Sequence, residues 1–211
     1  MGLDGTLYFG SWDKSFYAVW PDGTLRWSMY VGSPVPGVPA VGDDGTVYFG
    51  ERKEWFYAIR PDGRIRWRVS LPSGAANSVA LGHDGTVFAS GTDLYAFSPE
   101  GQELWRFRPE GNRAVSDAVG ATTPEGLVYF GSFDHSVYAL DGAGRKVWSY
   151  QAGDWIFGAP AIGADGTVYT SSKDGYLYAF AAIPEQGAWV ALLIPALAVC
   201  LQAIRRRCRH M

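Results

Sequence analysis

Five acidic residues, Asp4, Asp44, Asp84, Glu125 and Asp165, each precede a glycine and then a short apolar run such as Val47-Tyr48-Phe49. Carboxylates at a repeated spacing could bind calcium, but a calcium loop needs several oxygen ligands within one turn. Each copy offers one acid, at a position where a tight turn needs a short side-chain acceptor, so these residues are read as Asx turns. Glu51, Arg52, Lys53 and Glu54 form a mixed-charge cluster expected on a solvated rim. His83 and His135 have no partner at metal-ligand spacing and are expected to be exposed. No Ser, His and Asp arrangement departs from the repeat, and no glycine-rich phosphate loop opens a helix. Catalysis therefore has no candidate residue.

The elements that carry these residues recur. Asp44-Gly45-Thr46-Val47-Tyr48-Phe49-Gly50 has close copies beginning at residues 4, 84, 125 and 165. Val47-Tyr48-Phe49 reads as a strand buried on both faces, Phe56-Tyr57-Ala58-Ile59 as the next, and Arg64 to Val69 as a third beyond the turn Pro61-Asp62-Gly63. Ser78 to Gly82 is the innermost strand of the following unit. We label these strands B, C, D and A. Four short strands in roughly 40 residues, without helical periodicity, predict an all-β chain of four-stranded antiparallel β-propeller blades. Spacing supports this: Tyr17, Tyr57, Tyr95 and Tyr138 are each followed ten residues later by Trp27, Trp67, Trp105 and Trp148, and thirteen beyond those by Ala40, Ala80, Ala118 and Ala161.

Ala18, Ala58, Ala96 and Ala139 are followed at +5 by Gly23, Gly63, Gly101 and Gly144 and at +9 by the four tryptophans. This pattern resembles the tryptophan-docking motif of the pyrroloquinoline-quinone-like (PQQ-like) propeller repeats, over residues 1 to about 180. The resemblance implies that each indole packs across the Ala and Gly backbone of a neighbouring blade. A WD-type propeller is disfavoured, since Trp12-Asp13 is not repeated. The inventory is B-C-D, three complete blades and A-B-C, or 18 strands in five partial or complete blades. Family propellers commonly close with seven or eight, so an open arc or a fragment is expected.

Residues 182–211 differ in composition. Gly187 to Ala203 is apolar except for Gln202, and Arg205, Arg206, Arg207 and Arg209 follow. This predicts a C-terminal hydrophobic helix, a transmembrane anchor over residues 187–204 with an Arg-rich cytoplasmic tail, beyond a propeller at 1–181. Ile183-Pro184-Glu185, the span and the arginines are similar to PEP-type C-terminal sorting signals, with Gln186 in place of a second proline. Nothing at Met1 resembles a signal peptide. The formal net charge is −3, but 182–211 carry +3 and the body −6, which argues against nucleic acid. Cys200 and Cys208 lie in the tail, so the repeats hold neither disulfide nor thiolate site.

Function then rests on what departs from the repeat. A PQQ-dependent quinoprotein oxidoreductase, as that resemblance describes it, would need a calcium site of Glu, Asn and Asp, a catalytic Asp and, in many members, adjacent cysteines. Adjacent cysteines are missing and the asparagines are Asn77 and Asn112 alone, so neither PQQ nor calcium is expected. The D–A connections vary most, and among them Arg113, Trp155 and Phe157 are candidate anchors of a binding rim. The expectation is a non-catalytic interaction module with a protein or glycan partner, as the related outer-membrane assembly lipoproteins use their propellers as scaffolds, displayed at the bacterial periplasm or cell surface by the C-terminal anchor. A remnant of a quinoprotein oxidoreductase is the alternative.

Overall fold

Each Asp-Gly turn delivers the chain into a buried strand, and the resulting hairpins build five antiparallel sheets in the computed structural model, which describes residues 1–71, 78–112, 114–183 and 188–195. Blade 1 contains β1 (Leu7–Gly10), β2 (Ser15–Val19) and β3 (Leu25–Tyr30). Blade 2 contains β4 (Ala40–Val41), β5 (Val47–Gly50), β6 (Trp55–Ile59) and β7 (Ile65–Ser70). In blade 3 these places are taken by β8 (Val79–Leu81), β9 (Val87–Ser90), β10 (Leu94–Phe97) and β11 (Glu103–Phe107). Blade 4 has β12 (Val115–Thr122), β13 (Val128–Ser132), β14 (Ser136–Leu140) and β15 (Lys146–Gln151). Blade 5 has β16 (Ala161–Ile162), β17 (Val168–Ser171), β18 (Tyr176–Ile183) and β19 (Ala188–Pro195). Within every blade, strands adjacent in sequence are adjacent in the sheet, and the five sheets form an open arc.

Four of the five turns form as expected; in blade 4, where Glu125 stands in place of the aspartate, the Thr123 hydroxyl accepts the Leu127 N–H at 3.2 Å instead. The backbone N–H groups of Thr6, Thr46, Thr86 and Thr167 donate to Asp4, Asp44, Asp84 and Asp165 at 2.9–3.0 Å. In blades 1 and 2 an arginine of strand D completes the turn: Arg26 and Arg66 reach Asp4 and Asp44 at 2.7 and 2.6 Å.

The hydrophobic cores lie between blades. Phe16, Val35, Val47, Phe49, Tyr57 and Ile59 join blades 1 and 2, and Tyr48, Phe56, Leu71, Val87 and Tyr95 join blades 2 and 3. Equivalent clusters join blade 3 to 4 and 4 to 5. Phe16 stacks on Phe49 with ring centroids 3.8 Å apart. Full burial of such a side chain stabilises by about 1.5–3 kcal/mol, so a middle strand needs a neighbour on both faces. Strand β1 shows the converse: Leu7 and Phe9 are 46% and 45% exposed, whereas Val47 and Phe49 in β5 are 0% and 1%.

Ala188–Pro195, where the sequence predicts the first part of a hydrophobic helix, is strand β19, paired with β18 from Tyr176↔Pro195 to Ile183↔Ala188. The physical reason is the outer edge of β18, whose backbone groups need a partner strand. The described strands are thus nineteen rather than eighteen, and the expected domain boundary at 181/182 falls inside β18. The register also differs. Ala18, Ala58, Ala96 and Ala139 pair with the tryptophans nine residues on, but Ala179 pairs with Leu192. The remainder of the expected helix, the Arg-rich tail and the sorting-signal residues 184–186 lie outside the described residues. Among the described residues no helix is long and apolar enough to cross a membrane.

Lys14 and His135 hold the left-handed region at φ 73° and 74°, in B–C hairpins where blade 5 has Gly175 at φ 88°. A side chain there costs roughly 1–2 kcal/mol, partly offset by the greater unfolded-state freedom of glycine. His135→Gly is therefore expected to stabilise the protein by about 0.5–1 kcal/mol, read as a higher urea midpoint. A lower midpoint would mean that the imidazole contributes more than the strain it imposes.

Candidate functional site

The B–C hairpins and D–A connections meet at one edge of the blades. In blades 1, 4 and 5 the hairpin is Ser-x-Asp-y, with y being Lys14, His135 or Gly175. The serine hydroxyls of Ser11, Ser132 and Ser172 accept from the aspartate N–H groups, each at 3.2 Å. The aspartates accept the N–H two residues on and the phenolic O–H four residues on: Tyr17 to Asp13 at 2.6 Å, Tyr138 to Asp134 at 2.5 Å, Tyr178 to Asp174 at 2.7 Å. Burial, reinforced by the aspartate bond, pushes Tyr138 and Tyr178 up to about 12. These carboxylates are turned back onto their own hairpins, Asp13 while still exposed, and at position x Trp12 and Lys173 are exposed and Phe133 is half-buried.

Blades 2 and 3 solve the hairpin differently. Glu51, expected on the solvated rim, is 1% exposed and accepts the N–H groups of Lys53, Glu54 and Trp55 at 2.9, 2.6 and 2.7 Å. A four-residue loop without the Ser-x-Asp scaffold leaves those donors pointing inward, and the glutamate reaches them. Burial would raise its pKa, but the hydrogen bonds outweigh burial and hold it below the ordinary glutamate value. Glu54, by contrast, is exposed and accepts the Ser70 hydroxyl at 2.7 Å. In the shorter third hairpin the buried Asp93 accepts a two-pronged ion pair from Arg108, at 2.5 and 2.8 Å.

Trp155 and Phe157 flank Ile156, which is fully buried against Gly131, where a Cβ would collide with it. That anchor turns both aromatic neighbours outward. They meet Phe133 of the blade 4 hairpin in an edge-to-face triad: Phe133–Trp155 5.5 Å, Phe133–Phe157 5.3 Å, Trp155–Phe157 5.7 Å. Lys173 of blade 5 lies 4.9 Å over the Trp155 ring, and its N–H donates to the Trp155 carbonyl at 2.9 Å. Arg52 repeats the arrangement over Trp12 at 5.4 Å between blades 1 and 2. A polar cleft of about 480 Å³ opens beside Phe133, lined by Glu110, Asp134, His135, Tyr138 and Gln151 among others. His83 is exposed and lines clefts of 470 and 260 Å³ around the A–B turns. Among the described residues no cluster of His, Cys, Asp and Glu is grouped to hold a metal ion.

The structure thus brings Trp155 and Phe157 together; Arg113 lies outside the described residues. Phe133 and Lys173 were missed in the sequence because they occupy repeat positions, although their residue types differ from blade to blade.

The tryptophans of strand D lie between blades. Trp27, Trp67 and Trp105 donate Nε1–H to the carbonyls of Pro61, Pro99 and Gly142 at 3.0, 2.8 and 2.9 Å. A Cβ on Gly63, Gly101 or Gly144 would come within 3.1, 2.6 and 2.6 Å of those indoles. The Trp148 ring contacts Phe180 of blade 5 at 5.1 Å. Nothing lies within 4 Å of the corresponding point on Gly23.

The sequence matches the family described as outer membrane protein assembly factor BamB over residues 13–94 and again over 90–204. The chain belongs to the BamB family. The resemblance to PQQ-like propeller repeats is therefore borne out. BamB from Moraxella catarrhalis is similar in structure, with TM-score 0.74 and 18% identity, over 90% of this chain and 62% of that one. Saccharomyces cerevisiae Sqt1 gives 0.75 and 14% over 90% and 57%, and the computationally designed Ika8 protein gives 0.70 and 16% over 92% and 57%. This BamB-family chain therefore spans about three-fifths of the length of the solved structures it matches. No curated protein matches its sequence.

Proposed function

We propose that the protein is a non-catalytic scaffold whose B–C and D–A face binds a partner protein, in the periplasm or at the cell surface. The observation that carries this reading is the Phe133–Trp155–Phe157 triad: large aromatic side chains held rigidly at a blade junction, with Phe157 45% exposed. Rigid aromatic anchors are the side chains that dominate binding energy at protein interfaces. The name of the family and of its Moraxella member supports an extracytoplasmic assembly role. In this reading Ala18, Trp27, Ala58, Gly63, Trp67, Ala96, Gly101, Trp105, Ala139, Gly144 and Trp148 dock blades and bind no ligand, Gly23 holds the same repeat position with no indole against it among the described residues, and Arg113 extends the rim. Neither PQQ nor calcium takes part.

Membrane attachment through residues 187–204 is supported only by the apolar run and the arginines that follow it. Residues 188–195 cannot be strand β19 and a membrane-spanning helix at once.

A photo-crosslinking amino acid in place of Phe157, in the native cells, is expected to capture one predominant protein. Trp155→Ala is expected to weaken that capture by a factor of about 10–30, as loss of a hot-spot residue does. No protein adduct, or saturable stoichiometric binding of PQQ with calcium, would reverse the reading.

A further inference from the structure

The cations of the B–C hairpins face solvent, while the carboxylates of the same hairpins are all engaged by hydrogen bonds or an ion pair, although Asp13 and Glu54 remain exposed. Lys14, Arg52, Lys53 and Lys173 are exposed, and among the described residues none of them forms an ion pair. Asp13, Asp134 and Asp174 accept tyrosine hydroxyls and backbone N–H groups, Glu51 accepts three backbone N–H groups, and Asp93 is paired with Arg108. The remaining acids at this edge, Glu54, Glu110 and Asp154, accept the Ser70 hydroxyl, the Lys146 ammonium and the Trp155 N–H. A body of net −6 thus presents positive groups outward at one edge.

Two of those cations lie over aromatic rings, Arg52 on Trp12 and Lys173 on Trp155, which fixes their position. The two subsites are alike in make: an aromatic surface topped by a cation, at the junctions of blades 1 with 2 and 4 with 5.

We propose that this edge binds an acidic peptide segment carrying an aromatic or apolar side chain, the charges meeting Arg52, Lys53 and Lys173 and the apolar group packing at Phe157. The inference rests on the interaction-module reading and names the partner's chemistry. A peptide fits better than a glycan, because the triad rings meet at 68–73° and leave no flat platform for a sugar. It also fits better than a long polyanion, which the acidic body repels beyond the span of the four cations.

The test is fluorescence anisotropy of the full chain with three short labelled peptides, each carrying one Phe: an Asp/Glu peptide, a Lys/Arg peptide and a neutral Ser/Gly peptide. The acidic peptide is expected to bind saturably and more weakly as salt is added. Arg52→Glu combined with Lys173→Glu is expected to weaken it at least about tenfold. Arg60→Glu, at an exposed turn joining strands C and D, is expected to leave it unchanged. Tighter binding of the neutral or basic peptide, lost in Trp155→Ala, would overturn the acidic assignment and keep the interaction module. Binding of none would also overturn the assignment, while crosslinking at position 157 judges the module separately.

Discussion

Trp67→Ala is expected to lower the free energy of unfolding by about 3 kcal/mol, the low end of the range for deleting a core aromatic side chain, because the indole is partly buried. The indole lies where blade 2 meets blade 3. Its ring is 5.8 Å from both Tyr48 and Phe56 and 6.2 Å from Phe97, its Nε1–H donates to the Pro99 carbonyl at 2.8 Å, and its face covers Gly101. Truncation opens a cavity across the junction and leaves that carbonyl without its donor. Trp67→Phe keeps most of the apolar surface and loses the hydrogen bond, worth about 1 kcal/mol net, so its cost should fall well below that of alanine. Gly101→Ala attacks the same contact from the other side. Its backbone sits at φ 88° and the new methyl would come within 2.6 Å of the indole. Because neighbouring blades supply most of each other's cores, the urea transition of Trp67→Ala should broaden or divide as the two sides of the junction uncouple. A single transition within 1 kcal/mol of the parent would show that the indole is not a structural joint.

Glu51→Ala is expected to cost about 3 kcal/mol, since three N–H groups around a buried carboxylate lose their acceptor at once and each buried orphan costs about 1–3 kcal/mol. The total stays below the sum because Arg52, Lys53 and Glu54 are exposed, and water can reach part of the collapsed loop. Hydrogen bonds hold the pKa of Glu51 below its unfolded value despite burial, so its contribution is fully present above the unfolded value of about 4.3. That contribution is lost as pH falls through the lower folded value. Glu51→Gln retains one carbonyl acceptor and should fall between parent and Glu51→Ala at pH 7. Its stability should also decline less than the parent's on acidification. Urea midpoints at neutral and acidic pH measure both effects. Equal acid sensitivity in parent and Glu51→Gln would remove Glu51 as a source of the decline.

These two residues differ in how legible they were. Trp67 belongs to a register kept through four blades, and spacing alone marked it. Glu51 stands beside Arg52 and Lys53 in a loop, and composition pointed to solvent; only the course of the hairpin turns its carboxylate onto Lys53, Glu54 and Trp55. The rim divides in the same way. Trp155 and Phe157 were visible because no other unit has aromatic residues there, while Phe133 and Lys173 joined them only once blades 4 and 5 were side by side.

The sequence by itself determined the strand order, the Asx turns, the hairpins and the repeat, because each follows from local turn chemistry and from side chains alternating along a chain of fixed geometry. Tertiary structure decided which of those side chains share a surface. It also turned Ala188–Pro195 into strand β19, where composition pointed to a helix. An apolar run satisfies its backbone groups either within a helix or against a neighbouring strand, and the free edge of β18 supplies a partner that only the folded blade contains.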